Sequence, residues 1–274
     1  MNAAMRNTAG WMREHGTLAA VLCAGWPVWS WYAGRLGDPA DDHWEILALV
    51  TALVLLVRTR RRMSPDERWL ILPALLLTTY LGTYQSLPPL ARATIMVLVL
   101  GSVLAIHYHG QPWHAGLWGL LFLSLPVLPT AQFFAGYPLR VAATFLATPL
   151  LGLNGYTVVT EGVVMRWNNV SVLVDGPCSG VKMLWAGMYL TLTLATALGV
   201  SNGRTIICAV LAIAIVILSN ALRAATLFFV ETGITPTSAW MHDALGMVVF
   251  LLGGIAILFV VSHMSRSRKV RVGP

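Results

Sequence analysis

Long apolar runs, each closed by a short polar break, recur from one end of this chain to the other. Runs near the ~20 residues that cross a bilayer predict transmembrane helices rather than the core helices of a soluble domain. Eight such spans fit: 17–31, 44–57, 69–84, 91–106, 115–134, 181–198, 205–230 and 244–261. The second is short, with Glu45 at its interface and a basic cluster from Arg58 to Arg62 at its end. A further apolar stretch, 137–153, contains Arg140 and Pro149. A ninth crossing there would strand the basic C-terminal tail outside. We therefore expect an interfacial or re-entrant helix on the outer side.

Between this stretch and the sixth span the pattern changes. Residues 157–167 and 169–174 alternate and are rich in β-branched residues, with breaks at Glu161-Gly162 and Asn168-Asn169. That is the signature of short strands joined by tight turns. The expected fold is an all-α polytopic membrane protein of about eight transmembrane helices with a small extracytoplasmic, strand-containing cap. Three regions follow: a five-span membrane region (1–135), a core of outer helix, β cap and three spans (136–263), and a basic cytoplasmic tail (264–274).

Composition agrees. The chain is 57% hydrophobic and only 11% charged, against roughly 25% charged in soluble domains. Its net charge of +7 does not point to nucleic acid, because the basic residues cluster between and beyond apolar runs, as in cytoplasmic loops. With both termini in the cytoplasm, twelve of the 18 Lys and Arg fall inside, and eight of the 11 acidic residues fall outside. The first run lacks a small-residue cleavage site, so it reads as a retained span rather than a signal peptide.

Charge and topology together single out one stretch, Asp175-Gly-Pro-Cys178-Ser179-Gly180-Val-Lys182. It lies at the expected start of the sixth span, with Pro177 suited to a first helical turn. Unpaired N–H groups and the helix dipole there favour a thiolate, and Lys182 follows one turn on. The seventh span starts inside near Arg204; Arg223, at 1.5 Å per residue, lies about 28 Å farther on, at the outer edge. The eighth span begins outside just after His242. Cys178, Arg223 and His242 therefore share one membrane face.

Each has an ordinary reading as well. A lone membrane cysteine is usually a small hydrophobe, and Cys23 and Cys208 are read so, towards the cytoplasmic side. An arginine at a helix end often snorkels to the headgroups. Asn220, three residues before Arg223, is placed to orient its guanidinium. Asp243 is next to His242, though adjacent helical side chains diverge. His43 also faces outside and is the rival base. The chemistry that suits a thiolate, a histidine and an arginine is acyl transfer. HExxH and GxSxG motifs are absent, and the three cysteines have no metal-ligand spacing, so no metal or cofactor is expected.

The ordered trio Pro-Cys178-Ser179-Gly180, Asn220-Ala-Leu-Arg223 and His242-Asp243-Ala-Leu-Gly246 resembles the exosortase/archaeosortase family of membrane cysteine transpeptidases. The resemblance covers roughly residues 137–250; spans one to five match only in number and hydrophobicity. It implies Cys178 as nucleophile, Arg223 as stabilising arginine and His242 as acid/base. It also implies membrane-anchored substrate proteins ending in a short motif such as Pro-Glu-Pro, a transmembrane helix and a basic tail, and an acceptor the sequence does not identify. The compartment implied is the bacterial inner membrane, with the site on the extracytoplasmic face. This chain's own C-terminus lacks the motif, which makes it the processing enzyme rather than cargo.

Three other readings compete. A small-solute transporter would gather polar groups near the midplane, whereas here they lie at one face. A thiol oxidoreductase would want a cysteine pair near Cys178. A non-catalytic assembly factor on the same scaffold is the remaining alternative.

Overall fold

The computed structural model describes residues 16–37, 43–59, 67–234 and 239–269. The chain divides into two compact units, 1–127 and 128–274. In the first, helix α1 covers 16–24 and α2 covers Trp26–Leu36, with Pro27 in its first turn. The break between them falls at Gly25, over which Trp29 folds so that its indole N–H donates to Leu22 O at 2.9 Å. The expected first span is thus two helices. Next come α3 (Glu45–Thr59), a 3-10 turn at Glu67–Leu70, α4 (Ile71–Thr83), α5 (Pro89–His109) and α6 (Ala115–Leu123). Helix α5 ends at Gly110, whose φ of 70° supplies the left-handed closing residue.

The fifth expected span is corrected. α6 stops at Leu123, and a new helix, α7, runs Leu128–Leu153. Pro126 and Pro129 explain this: neither has an N–H to continue the α6 ladder, and Pro126 also disfavours helix at Leu125. Pro129 is tolerated because it sits in the first turn of α7. Residues 137–153 are therefore the continuation of one 26-residue helix, not a separate segment.

The second unit continues with an antiparallel sheet, β1 (Val159–Glu161), β2 (Val164–Trp167) and β3 (Val170–Leu173), in the order β1-β2-β3. Asn168 and Asn169 turn β2 into β3 with φ of 44° and 67°. Two successive positive φ values match the twist of a two-residue hairpin, and asparagine accepts them more readily than most residues. A 3-10 turn at Gly176–Cys178 leads into α8 (Val181–Ala197), α9 (Asn202–Glu231) and α10 (Ala239–Lys269).

Helix α9 is the hub of this unit, packed by α7, α8 and α10. At one end, Ala143, Ala147 and Leu151 of α7, Met165 and Val172 of the sheet, and Ala224 and Phe228 of α9 form a core. Phe228 is fully buried among Tyr156, Trp167 and Phe229, which is worth about 1.5–3 kcal/mol relative to exposure. At the other end Cys208 joins Val216, Ile257 and Val261. Cys208 is buried as expected, but Cys23 is exposed.

Among the described residues, α5, α9 and 244–266 of α10 are long and apolar enough to cross a membrane, with a fourth if α6 and α7 count as one broken span. The chain is a helical, multi-pass membrane protein.

Candidate active site

Strand β3 delivers the chain to Cys178 through a tight turn, in which Cys178 N–H donates to Asp175 O (3.0 Å) and Ser179 N–H to Gly176 O (3.1 Å). Cys178 therefore closes a 3-10 turn, and α8 begins three residues later at Val181. The sixth expected span, 181–198, begins where α8 does, with Cys178 just ahead of it in the 3-10 turn. Gly180 adopts φ 85° to link turn and helix. A left-handed φ and close approach by Asn220 both exclude a side chain there: an added Cβ would stand 2.9 Å from Asn220 Cγ and Nδ2.

Two amides clamp this turn. From α9, the buried Asn220 donates its Nδ2 to Cys178 O and Ser179 O, both at 3.3 Å. From α7, Gln132 Nε2 donates to Gly176 O (3.1 Å), and Gln132 Oε1 accepts from Ser179 Oγ (2.9 Å). Arg140, two turns farther along α7, donates through Nη1 to Val174 O at 3.4 Å. Thr144 Oγ1 donates to Gly162 O at 2.7 Å. Helix α7 thus fixes both the sheet and the turn.

Beside the turn is a cavity of about 310 Å³. One wall is Ser171, Val172, Leu173, Val174 and Asp175; the other is Asn220, Arg223, Ala224, Leu227 and Glu231 of α9; Cys178 lies between them. Arg223 Nε is buried and has no hydrogen-bond partner among the described residues. Its guanidinium lies against Gly246 of α10, where an added Cβ would be 3.1 Å from Nε and 3.4 Å from Cζ.

The structure thus brings together Cys178, Asn220 and Arg223, with Ser179 and Gly180 buried behind the turn. Lys182 is exposed on the first turn of α8 and is not among the cavity-lining residues. His242 and Asp243 lie in the first turns of α10, but their side chains fall outside the described residues. Position 242 is one helical turn before Gly246, the residue that meets Arg223. His43 is exposed in the first unit. Sequence reasoning missed Gln132, although a lone amide in an apolar run is a visible signal. Arg140 was visible as a charge in an apolar stretch without a partner to assign it. Among the described residues no cluster of three or more His, Cys, Asp or Glu could hold a metal ion.

The family model of the transmembrane exosortases matches residues 13–260. The chain belongs to that family. No curated protein and no solved structure matches it. Exosortases are cysteine peptidases and transpeptidases that act on membrane-associated substrates bearing sorting signals. The match extends well before residue 137, so the exosortase likeness includes the N-terminal helices that had matched only in number and hydrophobicity.

Proposed function

We propose that this exosortase cleaves a C-terminal sorting signal, made of a short motif, a transmembrane helix and a basic tail, through an acyl-enzyme on Cys178. The observation that carries this reading is one cavity lined by both Cys178 and Arg223, the latter with a buried donor that has no partner among the described residues. The Cys178 thiolate attacks the scissile carbonyl, and Arg223 stabilises the oxyanion of the tetrahedral intermediate. Collapse breaks the C–N bond, His242 gives a proton to the departing amine, and a thioester remains. An acceptor nucleophile then attacks the thioester, gives up its proton to His242 and releases the thiolate. Asn220 and Gln132 hold the turn, so the sulfur is presented in one orientation.

In this reading the chain crosses the bacterial inner membrane about eight times. Both termini are cytoplasmic, and the β cap and site face outward. The twofold excess of basic residues on the inner side supports that orientation.

The test uses full-length enzyme in proteoliposomes with a reporter ending in Pro-Glu-Pro, an apolar helix and a basic tail. Wild type should remove the tail and accumulate a covalent adduct. Cys178→Ala should do neither while inserting normally, and Cys178→Ser should not rescue. Cys23→Ala and Cys208→Ala should cleave normally. Cleavage at the wild-type rate by Cys178→Ala would refute the cysteine mechanism.

A further inference from the structure

Among the described residues no strand pairs with the outer side of β3, and that strand leads directly to Cys178. The sheet order β1-β2-β3 leaves two edges. Strands β1 and β2 pack on α7. Residues of β3 instead line the cavity together with residues of α9. Four successive residues, Ser171 to Val174, line it. Side chains alternate between the two faces of a sheet, so a lining that takes these four consecutive residues, with Met165 of β2 beside them, includes the outer edge of β3 as well as one face.

The pairing shows which groups that edge offers. The two-residue turn closes on Trp167 and Val170, and Val174 N–H donates to Val163 O at 3.0 Å. Antiparallel partners alternate, so Val170, Val172 and Val174 bond inward to β2. Ser171 and Leu173 then turn their N–H and C=O groups outward, to the cavity side. Exposed edges are normally blunted by lysine, proline or a bulge. Val170-Ser-Val-Leu-Val174 contains none of these.

We propose that this edge docks the extended substrate segment preceding the scissile bond, added as a fourth strand by main-chain pairing. This rests on Cys178 being the acyl-forming nucleophile. In a signal where an apolar helix follows the short motif, the part free to extend is the part before the cut. That part runs towards Cys178, as β3 does, so the added strand is parallel to β3. A cavity of about 310 Å³ is at the small end for ligand sites, so only the few residues nearest the cut are held.

Main-chain pairing does not depend on side chains, so an alanine probe suffices. Full-length enzyme in proteoliposomes is treated with acetyl-tetra-alanyl chloromethyl ketone or with chloroacetone, and alkylation of the Cys178 peptide is followed by mass spectrometry. The peptide should react at least about tenfold faster, after correction for intrinsic reactivity, as expected for two or more net hydrogen bonds. N-methylation of the probe's amides should abolish the gain at alternate residues and spare those between. Leu173→Pro removes only an outward N–H, a change that edge strands tolerate. It should bring the peptide's rate down to that of chloroacetone measured on the same variant. Should that variant misfold, the N-methyl series on wild type decides alone. No peptide advantage, or a loss without alternation, overturns the docking proposal. The cysteine mechanism is judged separately by the Cys178→Ala processing assay, so the two can fail independently.

Discussion

Asn220 is the residue whose replacement tests the site most sharply. Its amide donates to the carbonyls of both Cys178 and Ser179 at 3.3 Å, and it is only 4% exposed. Asn220→Ala leaves two carbonyls short of a donor and opens space beside Gly180. Leaving a buried polar group unsatisfied costs about 1–3 kcal/mol. These bonds are long and share one nitrogen, so the pair together should cost about that much. For a domain of this size the melting temperature should fall by roughly 2–12 °C. Asn220→Asp keeps the shape but replaces the donor with an acceptor facing two carbonyl oxygens. A buried carboxylate there would be driven towards its protonated form. Asp should therefore be worse than Ala at neutral pH, and the gap should close in acid, where a protonated carboxyl can donate again. The assay pairs melting of full-length enzyme in nanodiscs with Cys178 alkylation and reporter cleavage. Both variants should lose cleavage out of proportion to stability, because the turn that aims the sulfur is released. Wild-type melting and cleavage by Asn220→Asp would refute the claim that this amide holds the turn.

Three further outcomes are expected. Gly246→Ala places a Cβ 3.1 Å from Arg223 Nε, so it should displace the guanidinium and cut reporter cleavage at least tenfold, with folded yield and Cys178 alkylation by chloroacetone unchanged. Gln132→Ala should slow cleavage several-fold and Gln132→Glu, which keeps one acceptor for Ser179, should recover part of it; kcat, not KM, should carry the change. His114 caps α6 by accepting the Leu117 N–H on Nδ1 at 3.1 Å. Burial first, then the neighbouring His109, lowers its pKa from 6.5 to about 4. The folded state thus holds the neutral ring, and its contribution to stability is complete above about pH 6.5 and lost as pH falls towards 4. Melting curves across that window should drop, and His114→Asn, which can still cap, should shrink the drop; an unchanged drop would contradict the assignment.

Much of the fold was legible because its signals are local. Asn168-Asn169 marks a hairpin turn whatever surrounds it, and the apolar runs of α5, α9 and α10 exceed what a soluble core needs. The break between α6 and α7 was missed although Pro126 and Pro129 were in view. Hydropathy averages over a window, and two prolines barely change the average while they end the helical hydrogen-bond ladder. Helix α7 was read as parts of two segments, 115–134 and 137–153, the second set apart by Pro149 and by Arg140. In the structure its guanidinium instead reaches across to Val174 O, a pairing 34 residues away that no local pattern encodes.

The site was legible for a different reason: membrane topology replaces long-range information. Assigning an outward end to each span from the charge pattern puts Cys178 and Arg223 at one level without any contact being known. What topology cannot give is the fit between segments, and here each motif carries part of it. Asn220 and Arg223 stand three residues apart on α9, so they share a face yet serve different neighbours. Asn220 meets Gly180, at the cap of α8, and Arg223 meets Gly246, on α10. Both glycines sit where a Cβ would strike the polar side chain that α9 presents. The glycine closing Pro-Cys-Ser-Gly and the glycine closing His-Asp-Ala-Leu-Gly are thus explained by one helix. Substituting either should disturb the Asn220–Arg223 pair before it disturbs the bundle. A cavity assembled in this way keeps its polar groups in place only while three helix ends stay in register, which ties the chemistry proposed for Cys178 to the packing of α8, α9 and α10.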